Sequence, residues 1–162
     1  MKKYPFGNPA FSLVEVSLAM GLTVFSLLAL LGLLPIGLKS EQTARAETAA
    51  SGILSTVTAD LRATPPASAS GEPTVSGQFE IPLPASPLVG ESAPVTRFFS
   101  SDGTCTTTLA SHSRYRLTLV FPTNGLEAKT ATFVSLRVSW PAMAKPENAA
   151  GCVTTFLALD RN

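Results

Sequence analysis

The sequence predicts an α+β fold, with one long N-terminal helix packed on a small antiparallel β-sheet. Three observations predict it. An apolar run of about 28 residues, from Phe11 to Leu38, exceeds the roughly 20 needed to cross a bilayer as a helix. Beyond it, Ala46, Ala50, Ile53, Val57 and Leu61 recur at helical spacing, with Leu54 beside them. After Pro94 the period changes to two, with Tyr115, Leu117, Leu119 and Phe121 alternating with Arg116, Thr118 and Val120.

In chain order, residues 1–10 form a short opening made basic by Lys2 and Lys3, which favours keeping that end in the cytoplasm. Residues 11–38 are the membrane-length helix, and Glu15 is its only ionisable residue. Pro35 lies near its far end, where a missing N–H predicts a kink or local melting, or the end of the helix at a membrane surface. Residues 39–62 are an amphipathic helix with one oily face, of the kind that packs on a domain core. If the two stretches join, one helix runs from about Phe11 to Arg62, roughly 75 Å long. The Pro65–Pro66 pair ends it. Residues 63–94 hold seven prolines among Ser and Gly, so they read as loop, with "GQFEIPL" a short edge strand. Residues 95–162 are the sheet domain. "VTRFFSS", "HSRYRLTLVF", "TATFVSLRVSW" and "CVTTFLALD" have strand composition, with "TNGLEAK" as a turn. In the third strand Phe133 and Val134, then Leu136, Val138 and Trp140, read as one face.

Composition narrows the function. A net charge of +1 over 162 residues gives no electrostatic case for nucleic acid, even with Arg97, Arg114, Arg116 and Arg137 on strands. His112, the chain's single histidine, has no identifiable partner. No phosphate-binding glycine loop, H-E-x-x-H or G-x-S-x-G occurs. Asp102, Glu127, Glu147 and Asp160 lack calcium-loop spacing, and Trp140 reads as core or interface. The expectation is a non-enzyme without metal or cofactor. Cys105 and Cys152 fit no zinc pattern. In an extracytoplasmic domain they form either a disulfide, closing a loop of about 48 residues and worth up to about 4 kcal/mol, or two unpaired, partly buried thiols. The compartment favours the bridge.

A carboxylate inside a membrane-length run is costly and is a functional hypothesis by default. Three readings account for the segment. A cleaved signal peptide would use "TARA", ending at Ala46, but the oily region is far too long for one. A plain anchor explains the length and leaves Glu15 unexplained. The third reading takes the basic leader, Ala10, Phe11, Ser12, Leu13, Val14, Glu15, Val16 and the apolar run together.

That arrangement resembles the type IV pilin and pseudopilin family. The "LLALLGLLPIGL" tail is similar to the pilin-like proteins called Verru_Chthon cassette protein B. The apolar segment and "LRVSW" resemble minor pilins of the PilV type and minor pseudopilins. The resemblance implies a leader of residues 1–10, cut by a prepilin peptidase between Ala10 and Phe11, and N-methylation of Phe11. The family usually has Gly before the cut, where this chain has Ala10. Gly7 would leave Glu15 at the wrong distance from the new terminus. Glu15 lies one helical turn, about 6 Å, beyond Phe11. In a filament it would meet the new terminal ammonium of a neighbouring subunit and set the axial register, a role in specificity more than in stability. The implied partners are the peptidase, other pilin or pseudopilin subunits and inner-membrane lipid. The implied location is the bacterial inner membrane, single-pass, with the C-terminal domain in the periplasm, or a filament built from there. The alternative is an extracytoplasmic binding domain on an uncleaved anchor. Left alone, Glu15 would snorkel to headgroups or cap its own amino terminus.

Overall fold

The structure is a computed structural model describing residues 12–65, 74–84, 90–123 and 131–160. The chain divides into two compact units, one ending at Gln42 and the other starting at Thr43. Helix α1, Leu13–Ala63, is one unbroken element of 51 residues. It starts just after Ser12, whose carbonyl accepts the Val16 N–H at 3.1 Å. It stops two residues before Pro65, as the restriction on residues preceding proline demands. Pro35 lies inside α1 and does not end it, which corrects the reading of that proline as a helix terminus.

In the first unit, the large apolar side chains from Leu13 to Leu38 are between 49% and 87% exposed. In the second, α1 buries Ala46, Ala50, Ile53, Leu54, Val57 and Leu61, the residues that the helical spacing picks out. These six belong to one hydrophobic cluster with the inner face of a sheet.

That sheet has five strands, β3 Val95–Ser100, β4 Cys105–Thr106, β5 Ser113–Val120, β6 Thr132–Trp140 and β7 Gly151–Leu159. They lie in the order β4-β3-β5-β6-β7 and all pairs are antiparallel. Alternation decides which side chains face the helix. Tyr115, Leu117 and Leu119 of β5 and Val134, Leu136 and Val138 of β6 are all at most 3% exposed. Leu119 sits opposite Leu136, and Val138 opposite Val153. Phe133, which composition grouped with Val134, falls on the other face and is 49% exposed. Trp140 lies edge-on to Tyr115, with centroids 6.2 Å apart. Its indole crosses the backbone of Gly151, its partner in register. A Cβ there would sit 2.4 Å from Trp140 Cζ2, so only glycine fits.

The proline-rich stretch contributes a small ribbon, β1 Thr74–Val75 paired with β2 Pro82–Leu83. The turn between them is built on Ser76, 2% exposed. Its N–H donates to the Ile81 carbonyl at 2.9 Å and its Oγ accepts the Ile81 N–H at 3.1 Å. Glu80 takes φ of 51°, a strained setting for a non-glycine residue. The turn drives Phe79, Ile81 and Leu83 into the core.

Removing a buried helix side chain should therefore weaken the second unit, and removing an exposed one should not. Leu61→Ala is expected to cost about 2–5 kcal/mol. Leu31→Ala, at a position 63% exposed, should leave the urea midpoint of Trp140 fluorescence unchanged for the full chain in detergent.

Candidate functional site

Glu15 occupies the first turn of α1, three residues after Ser12. Ser-x-x-Glu is the capping-box spacing, and a carboxylate there faces the positive end of the helix dipole. Among the described residues no hydrogen bond or ion pair reaches it, and it is exposed. Ala19 and Thr23 follow at intervals of four, on the same helix face. Two hydroxyls nearby are satisfied within the helix. Ser17 Oγ donates to the Val14 carbonyl at 2.9 Å, and Thr23 Oγ1 to the Ala19 carbonyl at 2.8 Å. Such back-bonding satisfies polar groups that lipid could not solvate, whereas the Glu15 carboxylate, the ionisable group of this stretch, has no partner among the described residues. The helix is long and apolar enough to cross a membrane. The expected cleavage and methylation residues, Ala10 and Phe11, lie outside the described residues, as do Glu127 and most of the "TNGLEAK" turn.

The expected disulfide is corrected. Both cysteines are free. Cys105 lies on β4 and Cys152 on β7, the two opposite edges of the sheet. Four inter-strand spacings, about 19 Å, separate those edges, whereas a disulfide needs Cα atoms within about 7 Å. The faces differ too. Cys105 pairs with inward Phe99 and packs against the core, whereas Cys152 pairs with Ser139 on the outer face. There Arg137 donates to Cys152 Sγ at 3.7 Å and to the Pro146 carbonyl at 2.8 Å. Burial pushes the Cys105 thiol pKa up, partly opposed by the Arg97 cation.

Two charged residues do structural work that the spacing did not reveal. Asp60, on the flank of α1, accepts the Gln78 N–H at 3.0 Å and the Phe79 N–H at 3.2 Å. Arg97 on β3 donates through Nε to the Phe79 carbonyl at 2.9 Å and through Nη2 to the Glu80 carbonyl. Helix and sheet thus hold the β1–β2 turn from both sides. The signal in sequence would have been a single acid beside the apolar stripe, which does not name its partner.

Asp102 closes the β3–β4 turn. Its carboxylate accepts the Ser100 hydroxyl and the Thr104 N–H, the latter at 3.1 Å, while Gly103 takes φ of 89°. The Ser100 hydroxyl first, then the Thr104 amide, hold the Asp102 pKa down at about 2. His112 is exposed in the turn before β5. Among the described residues no group of His, Cys, Asp and Glu could hold a metal ion. No protein-family model, curated protein or solved structure matches the chain.

Two outcomes follow. Alkylation without reductant should modify both cysteines, Cys152 first and Cys105 more slowly with a higher pH requirement; a disulfide-linked mass would contradict this. A carboxylate with a lowered folded pKa stabilises above its unfolded value, about 3.9, and loses that contribution as pH falls toward 2. The Asp102 carboxyl resonance should titrate with a midpoint near 2, and Asp102→Asn should flatten stability between pH 4 and 2.

Proposed function

We propose that the chain is a membrane-anchored, pilin-like structural subunit, made with a leader of residues 1–10 and built into an assembly through α1. One observation carries the reading. A single helix keeps every large apolar side chain from Leu13 to Leu38 exposed and then buries a stripe from Ala46 to Leu61 on a sheet. Leu13–Leu38 covers about 39 Å at 1.5 Å per residue, more than the roughly 30 Å of a bilayer core. The same apolar surface suits lipid before assembly and neighbouring helices after it.

Glu15 supplies register in this proposal. Cutting between Ala10 and Phe11 creates an ammonium one turn before the carboxylate. Within an apolar bundle, Glu15 of one subunit and the N-methylated Phe11 terminus of the next neutralise each other only when correctly staggered. A misaligned neighbour leaves two buried charges, which is costly. The partners are the peptidase, other subunits of the same class and the inner-membrane lipid. The assembly is a pilus or a secretion pseudopilus, with the sheet domain on the periplasmic side. In the host, the mature chain should begin at methylated Phe11. Glu15→Ala should keep membrane insertion and cleavage but lose crosslinks to neighbouring subunits. An intact Met1 terminus would leave an anchored domain that never assembles, and normal crosslinking of Glu15→Ala would end the register role.

A further inference from the structure

Strand β7 is an edge of the five-stranded sheet; among the described residues only β6 pairs with it. Its sequence, GCVTTFLAL, runs nine residues without a charge or a proline. Sheets usually guard an exposed edge with a lysine, a proline, a bulge or shortness. The opposite edge obeys that rule, since β4 has two residues. β7 carries none of these devices, and Phe156, on its face away from α1, is 76% exposed.

The edge also has a groove. Between β7 and α1 lies a trough of about 530 Å³, lined by Leu54, Ser55, Thr58, Arg62, Val153 and Thr155 among others. Arg62 also borders the recess beside Ala158, Leu159 and Asp160. It therefore places an exposed cation toward the C-terminal half of β7. We propose that β7 accepts an extended strand from another polypeptide, antiparallel to it and bearing an acidic residue near its N-terminal end. Backbone amides and carbonyls of the edge would pair with the incoming chain, and small or β-branched side chains on alternate residues would enter the groove. Antiparallel entry continues the pattern of the sheet and brings the N-terminal end of the incoming strand to Arg62.

A second copy of β7 fits less well. Antiparallel self-pairing about Thr155 sets residue 160 against residue 150, so the partner copy's acid at 160 lands at the end away from Arg62. The nine strand residues have no charge to offer instead. The inference rests on β7 and the last turns of α1 beside it, and stands apart from the role proposed for Glu15.

The test uses the full chain in detergent and a capped nonapeptide of alternating Thr and Val with Asp first, against one with Lys first. Hydrogen exchange should show the outward-facing amides of Gly151–Leu159 fast without peptide and slowed by the Asp peptide. The Asp peptide should bind about five-fold more tightly than the Lys peptide, and Arg62→Glu should reverse that order. Three results would overturn the proposal. They are protection of those amides without peptide, protection that grows with protein concentration and so reports self-pairing, and no protection at millimolar Asp peptide.

Discussion

The contact between the stripe from Ala46 to Leu61 and the inner face of the sheet is the interaction on which the second unit depends. An isolated sheet with one apolar face would leave Tyr115, Leu117, Leu119, Val134, Leu136 and Val138 in water. An isolated amphipathic helix would expose six apolar residues of its own. Each surface removes the other from solvent, the layered solution that α+β domains adopt. Alanines at 46 and 50 and larger residues from Ile53 onward let the helix lie close and then fill the core with Val57 and Leu61, which are 0% and 1% exposed. The β1–β2 ribbon closes what the helix leaves open. Phe79 stacks edge-on against Phe99 at 5.5 Å, and the Asp60 and Arg97 contacts hold it there.

The same helix faces a different problem in its first half. Among the described residues no packed partner covers Leu13 to Leu38, and the Ser17 and Thr23 hydroxyls turn back onto the helix. That is the behaviour expected of a segment whose surroundings are apolar and supplied from outside. Glu15 is the exception, placed where a helix tolerates a carboxylate best, at the positive end of its dipole. The position lowers the cost of the charge without removing it, and the proposed function assigns the remainder to a cation from a neighbouring chain.

Periodicity made the skeleton readable. The six buried residues of α1 and the inward residues of β5 and β6 follow from spacing, because burial repeats with the geometry of the element. Features that depend on contacts distant in sequence were not readable. Asp60 meets amides 18 and 19 residues away, and its role depends on where the turn lands. The cysteines misled for a related reason. Compartment and loop length favour a bridge, but strand order sets Cys105 and Cys152 on opposite edges and register sets them on opposite faces. Phe133 shows the limit of composition, since two adjacent residues of a β-strand point to opposite faces and only Val134 of this pair can face the helix. The membrane-length run with its single acid was legible at once. Its cleavage site, Ala10 and Phe11, rests on a short motif alone.

The central proposal is that one helix meets two media, lipid or neighbouring helices in its first half, while its second half packs on a protein core. Photolabelling the full chain in bilayers with a lipid-dissolved carbene reagent, followed by peptide mass spectrometry, tests it most directly. The account expects label spread over residues 13–38 and none on Ala46, Ala50, Ile53, Val57 or Leu61. Label on that stripe, or its absence from residues 13–38 in unassembled chain, would contradict it.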